Sequence, residues 1–181
     1  MDEQTERGAV EMKNNAEKFQ YVMENYYLDE GVVYRRDTHE VVPFNSKVRT
    51  GHRFKIIKIN GKQISLCIHD AIWMLANNKP LPDGDFEVHH VDFNMLNNDP
   101  DNLVLMSNRM HQLYHSYISG SKGYYYYAAP THHLKPWIAR VKLPIGRRIN
   151  KSFATEAEAQ AFVEYRRAPI IKAFKAMGLP V

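Results

Sequence analysis

His89 and His90 are adjacent, and His111 and His115 stand four residues apart, so four of the chain's nine histidines fall within "VHHVDFNMLNNDPDNLVLMSNRMHQLYH", residues 88–115. On a strand, neighbouring side chains point to opposite faces. Only one of His89 and His90 can therefore reach a given metal ion, and the other remains for acid–base work at the rim. On a helix, positions i and i+4 share a face, which suits His111 and His115 to chelating one ion. One ligand set beside one base is what metal-assisted hydrolysis requires. Either histidine pair alone is an ordinary occurrence. Their combination in one strand–loop–strand–helix, with Asn102 opening the second strand, is far more specific. Cys67 is the single cysteine. No disulfide can form within the chain and no CxxC pair can hold zinc, so any metal falls to His, Asp, Glu or Asn.

Those side chains need elements to position them. "EVHHVD" reads as a short strand, 93–101 as a long polar loop and "NLVLMS" as a second strand. Ser107 is placed to cap a helix running to about Ile118. Asp92, Asn94, Asn97 and Asn98 are expected to order the loop through Asx-type turns, and Asp92 has the alternative of touching the metal or its waters. Upstream, "GVVYRR" reads as a strand. "FKIIKINGKQISLCI" reads as a hairpin turned at Asn60-Gly61. "HDAIWMLANN" reads as an amphipathic helix with Ile72, Leu75 and Ala76 on one face. His69 heads that helix and reads as a packed structural histidine, while His39, His52, His132 and His133 have no partner spacing. Residues 1–18 read as a frayed lead-in. "SGSKG" at 119–123 is a flexible break and the expected domain boundary. Beyond it come three strands, "YYYYAA", "PWIARVKL" and "RINKSFA". A helix then opens on the capping box Thr155–Glu158, is kinked or divided at Pro169, and ends at Gly178.

Composition narrows the function classes. The chain has 181 residues, 44% hydrophobic and 24% charged, within the globular range. It has no apolar run of about 18 residues, so no membrane-spanning helix is expected. The acidic start "MDEQTERGAVEMKNNAEKF" lacks the apolar core of a secretion signal, which, with the lone cysteine, fits a cytoplasmic and not a secreted protein. The net charge of +4 hides a gradient: residues 1–30 are net −5, 31–118 net +1 and 119–181 net +8. Residues 121–153 hold seven Lys or Arg and no acidic residue, interleaved with Tyr124–Tyr127, Trp137 and Phe153. Alternation sets Trp137, Ala139 and Val141 on one face of "PWIARVK" and Ile138, Arg140 and Lys142 on the other. Absent a bulge, Arg147, Ile149 and Lys151 share a face of the next strand. An apolar face on a helix and a basic face outward would suit a DNA groove.

The segment 88–115 resembles the HNH nuclease motif, a β-hairpin and helix clasping one metal ion. "FKIIKINGKQISLCIHDAIWMLANNKPLPDGDFEVHHVDFN" is similar to the segment preceding that motif in phage-borne HNH homing endonucleases, so the resemblance covers about residues 25–118. It implies His89 and His111 as metal ligands and His90 as the general base. Asn102 would accept from the His90 ring and fix its tautomer, and His115 matches the extra ligand of the colicin-type branch. Many homing members have Asp at the position of His89 and Asn at that of His111. Oxygen ligands suit Mg²⁺, whereas imidazoles suit Zn²⁺, Ni²⁺ or other transition ions, so nuclease chemistry is implied more firmly than the metal, with Mg²⁺ or Zn²⁺ expected first and Mn²⁺ or Ni²⁺ as the alternatives. Residues 122–168 resemble the DNA-binding domain of plant ethylene-response factors, which also occurs fused to phage HNH nucleases. That likeness turns Arg140, Lys142, Arg147 and Lys151 to DNA, with Tyr125 and Tyr127 as possible partners. It assigns Trp137, Ala139, Phe153, Ala157, Ala161 and Phe162 to a small core.

The expected fold class is α+β: an acidic lead-in (1–18), an HNH ββα-metal nuclease domain (19–118), and a three-stranded antiparallel sheet packed on a helix (119–181). The expected function is a metal-dependent endonuclease on double-stranded DNA, leaving 5′-phosphate and 3′-hydroxyl ends. It would be of the phage homing type, working in a bacterial host's cytoplasm with one divalent ion and no obligate protein partner. A sequence-specific DNA-binding protein with a structural metal, and a restriction or packaging nuclease, are the alternatives.

Overall fold

The computed structural model describes residues 15–48, 51–128 and 134–181. It is a mixed α/β chain of helices and antiparallel sheets. Contacts divide it into two compact units, Met1–Met106 and Ser107–Val181. The division thus precedes the Ser119–Gly123 stretch where composition places it, and the physical reason lies in the helix that opens the second unit, described below. No described helix is long and apolar enough to cross a membrane. Residues 1–14 of the expected lead-in lie outside the described residues, as do His132 and His133. From 15 to 25 the chain is helical (α1), where a frayed lead-in to 18 was expected.

In the first unit α1 leads directly into a hairpin of β1 (Tyr26–Asp29) and β2 (Val32–Arg35). A three-stranded antiparallel sheet follows, of β3 (Ser46–Lys47), β4 (Arg53–Ile59) and β5 (Lys62–Cys67). The β4–β5 turn is the expected Asn60-Gly61, with φ of 50° and 78°. Positive φ at both central residues gives a reversal that matches strand twist. α2 (Ile68–Asn77) starts one residue earlier than read, and its buried positions are His69, Ala71, Ile72 and Met74. Of these, Ala71, Ile72 and Met74 join Val22, Tyr26, Val33, Phe44, Ile57, Leu66, Val88 and Leu103 in one apolar core. β6 (Phe86–His90) and β7 (Leu103–Ser107) pair as a two-stranded sheet.

The second unit opens with α3 (Asn108–Ile118), capped as expected by the Ser107 hydroxyl, which accepts from the Met110 N–H at 3.3 Å. Its apolar side chains Leu113 and Tyr114 are fully buried. The Tyr114 ring meets Phe174 edge to face at 5.2 Å, and its hydroxyl donates to the Pro180 carbonyl at 2.9 Å. α3 therefore packs with the C-terminal helix, which is why it groups with the basic module. That module orders its strands β10–β9–β8, with β8 at Tyr124–Tyr126, β9 at Trp137–Lys142 and β10 at Arg148–Phe153. α4 (Glu156–Ala176) starts with both halves of the Thr155/Glu158 capping box. It continues unbroken through Pro169, so it is not divided there, and Gly178 follows its end with φ of +76°. The small core is Ala139, Val141, Ala159 and Val163, flanked by Tyr124, Trp137, Phe153 and Phe162. Ala159 and Val163 take the places expected of Ala157 and Ala161, which are exposed. Gly123 is favoured where it stands by its φ of +80°, a conformation that side-chain-bearing residues rarely adopt.

Candidate functional site

β6 ends on His89 and His90, both buried, at 6% and 3% exposure. Alternation sends their rings into different surroundings. His89 meets Phe93 edge to face at 5.2 Å. His90 lies among two other histidines, with its ring centre 5.6 Å from that of His52 and 5.4 Å from that of His69. His52 and His69 are themselves 4.7 Å apart. Sequence reasoning found no partner for His52 and only a structural role for His69. No spacing rule could have shown them meeting, because His52 precedes β4, His69 opens α2 and His90 ends β6. Burial, then the neighbouring His52 and His90, push the His69 imidazole down to about 3. His52 is lowered for the same first reason. Both are neutral at physiological pH, so the 3.4 Å approach of His69 Nε2 to Asp70 is not an ion pair.

The loop after β6 is organised as expected, by Asn and Asp side chains folding back on the chain. Asp92 accepts from the Asn94 N–H, Asn94 from Leu96, Asn97 from Asp99, and Asp99 from Asp101. Each is an i to i+2 bond of the Asx type. Asp92 is the hub: it also accepts from the Asn97 amide at 2.7 Å and the Asn102 amide at 2.9 Å. These bonds, that from Asn97 first, hold its carboxyl below the usual range.

One expectation is corrected here. The Asn102 side chain does not bond His90. Its oxygen accepts from the Asp92 N–H at 3.0 Å, and its amide donates to Asp92 and to the Asn97 carbonyl. Asn102 thus ties the two ends of the loop together. The residue that meets the His90 ring is Asn98, with Oδ1 3.0 Å from Nε2. Asn98 was read only as a loop former; its one sequence signal is membership of an Asn-rich run.

On α3, His111 and His115 share a face as their spacing requires, with their Nε2 atoms 2.8 Å apart. Two imidazole nitrogens converging from successive turns are suited to one ion. The third donor expected from the sequence is His89, on β6 of the first unit. All three donors are imidazole, a chemistry that fits a transition ion better than Mg²⁺. A second set, Cys67, His69 and Asp70, lies at the start of α2. Burial raises the Cys67 thiol to about 11, so it stays protonated, and a helix N-terminus opposes a cation.

The basic sheet differs from its expected face. Directly opposed residues of an antiparallel pair share a face. Register pairs Arg148 with Lys142, Asn150 with Arg140, and Lys151 with Ala139. Lys151 is therefore on the helix-facing side, its ammonium 5.3 Å and 5.2 Å from the ring centres of Phe153 and Phe162. Arg147 lies before β10, in the turn. The outward face instead carries Arg140, Lys142, Arg148 and Asn150. Tyr125 joins them opposite Ile138. The Arg140 guanidinium lies over the Tyr125 ring at 5.5 Å and donates to the Tyr125 hydroxyl and to Asn150 Oδ1. Tyr127 follows β8, half exposed, its N–H bonded to the Pro136 carbonyl.

Residues 67–113 match the family model of HNH endonucleases. No curated protein matches the chain. Among solved structures, one describing DNA binding and cleavage by the HNH homing endonuclease I-HmuI is similar. The TM-score is 0.42 at 16% identity, over 84% of this chain and 85% of that one. The likeness to HNH endonucleases thus spans residues 67–113, which hold His69, His89, His90 and His111.

Proposed function

We propose that the protein is a metal-dependent endonuclease of double-stranded DNA, with one divalent ion held by His89, His111 and His115. The observation that carries this reading is the His111–His115 pair, 2.8 Å apart, with His111 inside the segment that matches the HNH endonuclease model and His115 two residues past its end. His89 is the third donor that the HNH resemblance implies, and the chain enters α3 from β7 with no intervening residue. An ion of the Zn²⁺, Ni²⁺ or Mn²⁺ kind, bound there, would supply charge stabilisation at the scissile phosphate and the leaving oxygen. His90, next in sequence but turned to other surroundings, takes the proton from the attacking water. His52 and His69 pack on the His90 ring and limit the directions it can take. In the second unit, the outward Arg140, Lys142 and Arg148 bind the duplex backbone, and Tyr125 holds the Arg140 guanidinium flat. The products are 5′-phosphate and 3′-hydroxyl ends. A homing role, with the chain encoded by a phage, is the biological setting we favour, on the resemblance of residues 25–118.

The test is nicking of supercoiled plasmid across a series of divalent ions, with the ends mapped. Cleavage is expected to need added metal and to fail in His111→Ala, which also loses the stabilisation that bound metal gives. Full cleavage in chelator would overturn the metal assignment, and 3′-phosphate ends would overturn the chemistry.

A further inference from the structure

We infer that Asn98 is the positioning residue of His90, and that it holds the imidazole as the Nε2–H tautomer with Nδ1 as the proton-accepting atom. The inference rests on the nuclease reading only for what Nδ1 does; the tautomer itself follows from three groups. The Asn98 amide nitrogen lies 3.3 Å from the Leu96 carbonyl oxygen. A carbonyl can only accept, so the end of Asn98 facing it must be the NH₂ group. The other end, 3.0 Å from His90 Nε2, is then the amide oxygen, which also can only accept. His90 Nε2 must therefore donate. A neutral imidazole carries one N–H, so the lone pair sits on Nδ1. Turning the amide over would set oxygen against the Leu96 carbonyl, so the two contacts fix one orientation together.

The loop gives Asn98 the rigidity to do this. Leu96, whose carbonyl anchors the amide, has its own N–H held by Asn94. Asn97 and Asp99, the two neighbours of Asn98, are both bonded through their side chains, to Asp92 and to the Asp101 N–H. Asn102 closes the loop onto Asp92 and the Asn97 carbonyl. The Asn-rich run is thus a frame for one acceptor atom, and a base needs such a partner to keep its lone pair aimed.

The experiment reads the tautomer without turnover. The metal-free full chain, labelled with ¹⁵N-histidine, is taken to mildly alkaline pH, where imidazoles are neutral. His90 signals are identified by their loss in His90→Gln. The expected result is a protonated-type Nε2 and an unprotonated-type Nδ1 in the wild type. Asn98→Leu, which removes the acceptor, is expected to give a mixture of tautomers, and Asn98→Asp, which keeps an acceptor, to restore the Nε2–H form. In plasmid nicking with added Mn²⁺, Asn98→Leu is expected to lower kcat about 10- to 100-fold with KM unchanged, and Asn98→Asp to recover most of it. An Nδ1–H ring in the wild type, or an Asn98→Leu ring identical to wild type, overturns the inference. So does an Asn98→Leu enzyme with wild-type kcat. An inactive wild-type protein with the Asn98-dependent tautomer counts against the nuclease reading alone.

Discussion

His90 has three contacts that serve different ends: Asn98 at its Nε2 and the His52 and His69 rings beside it. Because proton transfer by a placed base contributes about 10²–10⁴-fold, His90→Gln is expected to lower nicking by that order. It should leave metal binding and DNA binding intact, since neither is assigned to His90. A titration of Zn²⁺ and a plasmid assay on the same variant check this, and near wild-type cleavage would remove His90 from the mechanism. His69 yields a second prediction. Burial depresses its imidazole to about 3 against an unfolded value of 6.5. The unfolded chain therefore takes up the proton first as pH falls, and the folded state loses stability between about 6.5 and 3. Asp70, raised by burial to about 6, works the other way between about 6 and 3.8 and offsets part of this. The groups facing His69 are His52 and His90, both of which add to its depression, with Lys18 acting on Asp70. From about pH 7 to about pH 5, His69 is expected to cost on the order of 1–2 kcal/mol. Urea midpoints at both pH values should fall further in the wild type than in His69→Leu; equal falls would show that His69 is not the sensor. The histidine spacings within 88–115 were legible because they lie on one motif. The meeting of His52, His69 and His90 was not, because it is made by the packing of three separate elements.

α3 carries His111 and His115 on one face and buries Leu113 and Tyr114 on another, Tyr114 against Phe174 and the Pro180 carbonyl. From sequence, a chain ending near Ile118 would keep every hydrolytic residue. The packing predicts otherwise: removing 119–181 takes Phe174 and the Pro180 carbonyl away from Tyr114, a buried ring worth about 1.5–3 kcal/mol. The truncated chain is expected to lose α3 helicity and with it metal binding, measured by circular dichroism and by Zn²⁺ titration. A truncation that binds Zn²⁺ like the full chain would show that α3 does not depend on Phe174 and Pro180. The elements themselves were read well where local chemistry dictates them. Asn60-Gly61, the Ser107 cap and the Thr155/Glu158 box are each fixed by a few neighbouring residues. The outer face of β10 was not read well, because the face of each strand residue depends on where pairing starts after the turn. Pairing begins at Arg148 against Lys142, so Ile149 and Lys151 fall on the face opposite to the one expected, while Phe153 stays on the core side. A slip of one position has that consequence by geometry, and nothing in "RINKSFA" sets the starting point.

At the scale of the whole chain, charge is uneven: residues 119–181 are net +8, while 31–118 are net +1. The second figure conceals a further division, since residues 41–69 hold six Lys or Arg and no acidic residue. Within that stretch Lys47 stands directly opposite Arg53, and in the C-terminal sheet Lys142 stands directly opposite Arg148. Like charges so placed repel, and a bound polyanion would relieve the repulsion. The C-terminal sheet is expected to dominate, because Arg140 is already braced by Tyr125 and Asn150 for contact. Each phosphate contact contributes a slope of about 0.9 in the logarithmic dependence of affinity on salt. Arg140→Ala, Lys142→Ala and Arg148→Ala should therefore each weaken binding and flatten the slope by about that amount. Lys151→Ala, on the helix side, should leave the slope unchanged and lower stability instead, through its lost contact with Phe153 and Phe162. The measurement is binding of a duplex by the full-length variants across a salt series. If Lys151→Ala flattens the slope while Arg148→Ala does not, the side of the sheet assigned to DNA is wrong. If none of the four changes it, the backbone is held elsewhere, and Lys47, Arg53, Lys55, Lys58 and Lys62 are the next set to reverse. Substitutions that alter the preferred sequence as well as the slope would identify base-edge contacts, which phosphate contacts alone cannot produce.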